Sequence, residues 1–187
     1  MEINNKNALK ILFISNGIFV FADRLLGPLY AIFAEKFDAN ILSVSFSWFI
    51  FMFSATIFTF IVAKYGDKIK EKEYLLAAGF IIRVISWILY IFTNSLVMFI
   101  IIQVVLGIGE AVGSPAFDSI FAKHLDKGAE INEYSTWKLV QNFSLAVASL
   151  IGGFIVYFLN FNVLFILMAV LGTFSTIIVL MQPRKLL

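Results

Sequence analysis

Long apolar runs alternate with short polar breaks along the whole chain, and the alternation predicts six helices long enough to cross a bilayer. A hydrocarbon core about 30 Å thick takes about 20 helical residues to span. Inside it the backbone must satisfy its own hydrogen bonds, which selects helices. The expected spans are about 11–33, 41–63, 74–92, 96–116, 136–158 and 162–181. They leave so little chain between them that residues 1–187 read as one all-α, polytopic transmembrane domain. Gly27 and Pro28 mark a kink in the first span, Thr93 and Asn94 a tight turn, and Pro183 a stop after the last span. The stretch 117–133 reads as an exposed connection, helical only at its start.

Lysine and arginine orient the spans. Eleven of the fourteen fall before the first span, between the second and third, in or at the edge of the connection after the fourth, or after the last: Lys6, Lys10, Lys64, Lys68, Lys70, Lys72, Lys123, Lys127, Lys138, Arg184 and Lys185. The opposite side receives Lys36, and Arg24 and Arg83 lie inside spans. The positive-inside rule then expects both termini in the cytoplasm of a multi-pass cell-membrane protein.

Composition agrees and narrows the chemistry. The chain is 61% hydrophobic and 14% charged, where a soluble domain carries about a quarter charged residues. The net charge of +2 comes from membrane-flanking residues and does not imply nucleic acid as a partner. The absence of cysteine removes disulfides, thiol catalysis and cysteine metal sites. With one histidine, His124, read as solvated or interfacial, and no base near Ser114, no enzyme activity, metal or cofactor is expected.

Charges inside the hydrocarbon cost about 2.5–3.5 kcal/mol each on insertion scales, so they mark a function or a buried pair. Asp23 and Arg24 sit mid-span in the first helix, Arg83 in the third and Glu110 in the fourth. At a rise of 1.5 Å per residue, Glu110 would lie about 6 Å to the cytoplasmic side of its span centre, within reach of Arg83. Neighbouring Asp23 and Arg24 point about 100° apart, so one is expected to face a cavity and the other a helix contact. Two readings stay open: the four charges neutralise one another and orient helices, or the acids face water and exchange a proton or cation while the arginines tune them. Gln103, Gly107 and Glu110 form a polar, small-residue stripe on the fourth span, and Asn142 in the fifth is a hydrogen-bonding candidate beside Gln141. Trp137 fits an interfacial anchor, whereas Trp48 and Trp87 fit ordinary packing.

Asp23, Gly27 and Pro28 in the first span are echoed by Glu110, Gly113 and Pro115 in the fourth, an acid five residues before a proline with a glycine between. That spacing suits a chain built from two inverted three-helix repeats.

The loop Ala63 to Lys72 resembles the signature loop of the major facilitator superfamily at Gly66, Asp67, Lys68, Ile69 and Lys72, and departs from it at Ala63, Lys70 and Glu71. Gln103 to Gly109 is similar to that family's fourth-helix motif, with Gln103 where the family carries arginine. Gly152 and Gly153 match the end of its antiporter stretch. The resemblance implies a gating role for Gly66, Asp67, Lys68 and Lys72. It also implies one six-helix half of a twelve-helix transporter with its halves related along the membrane normal. Two copies could then form the whole as a homodimer, with Ser47, Ser54, Ala148, Gly152 and Gly153 as contacts between them. The expected function is a secondary transporter of a small solute by alternating access. Asp23, Arg24, Arg83, Gln103, Glu110 and Asn142 form its substrate or proton site, and proton coupling and symport against antiport are left open. The alternative is a non-transporting scaffold, or a subunit that requires a different six-helix partner.

Overall fold

The computed structural model describes the backbone of residues 5–37 and 39–182, with side chains from residue 8. Asp38, Pro183, Arg184, Lys185 and the side chain of Lys6 lie outside the described residues. The first span is α1 (Asn5–Arg24), a 3₁₀ turn (Gly27–Leu29) and α2 (Tyr30–Glu35). The others are α3 (Ile41–Tyr65), α4 (Lys72–Ile91), α5 (Leu96–Lys123), α6 (Glu130–Phe158) and α7 (Phe161–Leu180). Six helices among the described residues are long and apolar enough to cross a membrane. The kink expected at Gly27 and Pro28 is a full break: the helix ends at Arg24, and the turn is closed by Leu29 N–H on Leu26 O at 2.7 Å.

Two boundaries differ from expectation. Helix α5 continues through Pro115 to Lys123, and α6 begins at Glu130. The stretch 117–123 is therefore a packed helical end and not a loop, because Phe117, Ile120 and Phe121 are buried. Trp137 joins them, its ring 4.8 Å from Phe117 and 5.4 Å from Phe13, so it is a core residue rather than an interfacial anchor. His124, expected to be solvated or interfacial, is buried and so not solvated, its Nδ1 2.8 Å from Ile120 O at the end of α5.

The two ends of the bundle cap their helices differently. On the face opposite the basic loops, Asn40, Ser95 and Asn160 accept the N–H groups of Ser43, Met98 and Val163 at 2.9, 3.3 and 3.0 Å. These caps satisfy orphan donors without charge. On the basic face α4 and α6 start with no side-chain cap and carry Glu73, Glu130 and Glu133 in their first turns, which suits the positive helix end.

The packing has an internal symmetry. The main contacts are α4 with α5, α3 with α5, α4 with α7, α1 with α7 and α1 with α6, with a lesser one between α6 and α7. Exchanging spans one and four, two and five, and three and six reproduces the main contacts, as two inverted three-helix repeats require; the lesser α6–α7 contact has no equally extensive counterpart between α3 and α4. Small residues set the close approaches. A Cβ at Gly79 would lie 2.5 Å from Gly113 Cα, and one at Gly107 2.6 Å from Phe51 O.

Those small faces lie inside the protomer, which corrects the expected contacts between copies. Ser54 donates to Val104 O of α5 at 2.9 Å, and Ser47 meets the Tyr30 hydroxyl at 2.7 Å. Ala148 is buried, and a Cβ on Gly152 would collide with the Leu25 carbonyl. Gly153 alone of the five meets open space. The physical reason is that α3 and α6 need a close approach to their own neighbours, α5 and α1, and spend their small residues there. Their outward faces are bulky instead, with Phe46, Phe49, Phe53 and Phe60 on α3 and Leu139, Phe143, Phe154 and Phe158 on α6.

Candidate functional site

Arg83, at the middle of α4, reaches across the bundle to two acids. Its Nη2 lies 2.6 Å from Asp23 Oδ1 on α1, and its Nη1 2.9 Å from Glu110 Oε2 on α5. The guanidinium also rests over the Phe19 ring, 4.8 Å from its centroid. Arg24 makes a weaker contact, its Nε 3.9 Å from Asp23 Oδ2 with half of its side chain exposed. Because α5 runs from Leu96 to Lys123, Glu110 stands at its midpoint rather than toward one end.

The backbone makes room for this cluster. A Cβ on Gly109 would fall 2.6 Å from Arg83 Cγ, so the stem of Arg83 lies against α5 only because residue 109 is glycine. The end of α1 at Arg24 places Asp23 in its last turn, facing Arg83. Ser114, one turn below Glu110, donates to Glu110 Oε1 at 2.6 Å. Breaking a buried ion pair by removing one partner leaves an uncompensated charge and costs about 3–5 kcal/mol. Arg83 thus clamps α1, α4 and α5 together.

Asp23, Arg24, Arg83 and Glu110 border two cavities at once. One, of about 220 Å³, lies toward the face opposite the basic loops and is lined further by Tyr30, Trp48, Phe51, Trp87, Tyr90 and Gln103. The other, of about 230 Å³, lies toward the basic face with Asn16, Ser114, Asp118 and Gln141 in its wall. The outer cavity is aromatic and the inner one polar. Gln103 Nε2 donates to the Tyr90 hydroxyl at 2.7 Å, fixing that ring in the outer wall.

Of the residues read from the sequence, Asp23, Arg24, Arg83, Glu110 and Gln103 come together here. Asp23 and Arg24 both border the cavities, although only Asp23 turns into the clamp. Asn142 is not brought in: it is exposed on α6, and Gln141, one residue earlier, takes the cavity position. Trp48, half exposed, is a cavity wall rather than plain packing, whereas Trp87 borders the same cavity from within the core, where packing was expected. Sequence reasoning missed Asn16, Tyr30, Tyr90 and Asp118, and noted Gly109 only as the end of the fourth-helix motif. Ser114 and Asp118 were signalled by their four- and eight-residue spacing from Glu110, which keeps one helix face polar.

The basic loop forms a second constellation. Gly66 to Lys68 make a 3₁₀ turn, and Lys72 Nζ lies 3.5 Å from Asp67 Oδ1 while donating to Ser119 Oγ of α5 at 2.5 Å. Lys68 lies over the Tyr65 ring at 5.2 Å, and Asp67 is almost fully exposed at the surface. A cavity of about 140 Å³ separates this loop from Pro115.

Six apolar helices around a mid-depth charge cluster, with a cavity on each side of it, define a multi-pass membrane protein with the interior of a transporter. The family model of the Major Facilitator Superfamily matches residues 12–186, and the chain belongs to that family. A relative 26% identical over 149 residues, covering 78% of this chain and 88% of its own length, is "Uncharacterized MFS-type transporter YitZ" of Bacillus subtilis (strain 168). An alignment of that length and coverage makes the relative a similarly short protein.

Proposed function

We propose that this transporter moves a small, chemically unchanged solute by alternating access, and that two copies of the chain complete the pathway. The observation that carries the reading is Arg83 held between Asp23 and Glu110 in a wall common to two oppositely directed cavities. Two carboxylates share one guanidinium. A proton or cation that takes up one carboxylate releases it from Arg83, and α1 and α5 are no longer clamped through α4. Coupling of transport to protons follows from the same exchange. The basic face, carrying the Gly66–Lys72 loop, lies in the cytoplasm of a cell-membrane protein by the distribution of lysines. There Asp67 and Lys68 are exposed to pair across the gate.

A second copy is supported by what the bundle leaves uncovered. In α3 and α6 only 17% of the most apolar stretch is buried, against 39–44% in the other four spans. Arg24, at the end of α1 but mid-way along the first span, and Asn142, near the middle of α6, stand exposed, where lipid would cost an arginine about 2.5–3.5 kcal/mol. A partner over these faces removes that cost. With the small residues turned inward, the contact is made by the bulky faces of α3 and α6.

Two measurements test the reading. Native mass spectrometry from a mild detergent is expected to give twice the 21.1 kDa chain; a monomer, or a complex with another protein, would sink the homodimer. Proteoliposomes assayed with a panel of small solutes are expected to show uptake that depends on pH, and Asp23→Asn or Glu110→Gln to remove that dependence. Unchanged pH dependence in both variants discards the coupling role.

A further inference from the structure

We propose that the outer cavity binds a small amphipathic organic cation, held by aromatic faces in its wall and by the Asp23 and Glu110 carboxylates at its floor. The assignment names the solute class of the site proposed above and rests on that reading for its purpose, though not for its geometry.

Tyr30, Trp48, Phe51, Trp87 and Tyr90 border one cavity of about 220 Å³; Tyr30, Trp48 and Phe51 are partly exposed, and the buried Trp87 and Tyr90 back them. The face of an aromatic ring is the negative part of its quadrupole and attracts cations, most strongly for tryptophan. Two of the rings are anchored by their own hydroxyls, Tyr30 to Ser47 and Tyr90 to Gln103, both at 2.7 Å. The wall is therefore built rather than loosely filled.

The floor carries no net charge, Asp23 and Glu110 against Arg24 and Arg83, but its acids keep unused acceptor positions. Both terminal nitrogens of Arg83 point at the acids, and its face is covered by Phe19. The acids are less fully used: among the described residues Asp23 Oδ2 meets only the Arg24 contact at 3.9 Å, and Glu110 Oε1 accepts only from Ser114. A carboxylate can accept about four hydrogen bonds. A sugar-like solute would find few neutral partners here, since Gln103 and the two phenols are already engaged with each other or with Ser47. Arg24 also borders the cavity, half exposed, so an anion is the competitor to test.

The experiment is a fluorescence titration of the purified full chain in detergent, in a Trp137→Phe background. Of the three tryptophans only the cavity residues Trp48 and Trp87 then report. Trp137 packs between Phe13 and Phe117, away from this cavity. The probes are benzyltrimethylammonium, neutral N,N-dimethylbenzamide and benzenesulfonate. The cation is expected to bind about tenfold tighter than either, the scale of a desolvated cation–π contact. Asp23→Asn and Tyr30→Leu are each expected to weaken it several-fold, and Tyr30→Leu keeps the test decidable where Asp23→Asn does not fold. Equal or tighter binding of the amide or the sulfonate overturns the assignment, as does cation binding that neither variant weakens. Preferential cation binding without uptake of any solute upholds it and counts against the transport reading alone. Uptake without preferential cation binding counts against this assignment alone.

Discussion

The first and fourth spans carry the same cue, an acid five residues before a proline with a glycine between, and fold it differently. In the first, the helix ends at Arg24, and Gly27 to Leu29 form a 3₁₀ turn with Gly27 and Pro28 exposed. In the fourth, α5 runs 28 residues with Pro115 inside it. Pro115 lacks the N–H that would bond the Ala111 carbonyl, yet the helix holds because its neighbours hold it. Gly107 locks against α3, and Gly109 and Gly113 lock against α4, on the turns just before the proline. Around Gly27 the nearest neighbour a Cβ would meet is Ser149 Oγ at 3.7 Å, an ordinary contact. A proline breaks a helix where packing lets it: α5 is a continuous frame beside the site, the first span is broken there, and under the proposed alternating access that break is its hinge.

The largest expected effect comes from removing what joins frame and hinge. Arg83→Leu leaves Asp23 and Glu110 without their shared cation and should cost about 3–5 kcal/mol, read as a lowered unfolding midpoint in detergent with loss of uptake. A stable variant with normal uptake would separate the two spans functionally. Next in size is the seat of the hinge on α6. Gly152→Ala drives a methyl into the Leu25 carbonyl and should cost about 1–3 kcal/mol, whereas Gly153→Ala, in open space, should stay within about 0.5 kcal/mol. Equal thermal shifts for these neighbours would remove the close approach from the account. The smallest expected effect sharpens the contrast of prolines. Pro115→Ala restores a donor to an already continuous helix and should leave uptake nearly unchanged. Pro28→Ala releases the fixed φ of the 3₁₀ turn and should lower uptake more than it lowers the unfolding midpoint.

Much of this was legible in the chain. The six spans follow from apolar length, and the cluster of Asp23, Arg83 and Glu110 from the cost of charge in hydrocarbon. Sequence reasoning failed where neighbours decide. Helix α5 outruns its apolar stretch because Phe117 and Phe121 find a core with Phe13 and Trp137, a tertiary fact. Serine and glycine faces on α3 and α6 announce close packing without naming the partner, and the partner is within the chain. Gln141 and Asn142 differ by about 100° of helix rotation, and an apolar background with weak periodicity does not say which of them turns inward. Tyr90 and Gln103 meet across the tight turn at Thr93, where thirteen residues of sequence hide a 2.7 Å hydrogen bond.

Arg83, with Asp23 and Glu110, forms a wall between two cavities, one toward each end of the bundle, and in the proposed function each opens to its own side of the membrane. The chain has no cysteine, so single cysteines can be placed in each cavity and labelled with a membrane-impermeant maleimide from either side. Met52→Cys in the outer cavity is expected to label only from the side opposite the basic loops, and Gln141→Cys in the inner cavity only from the basic side. Labelling of both positions from one and the same side would contradict the claim.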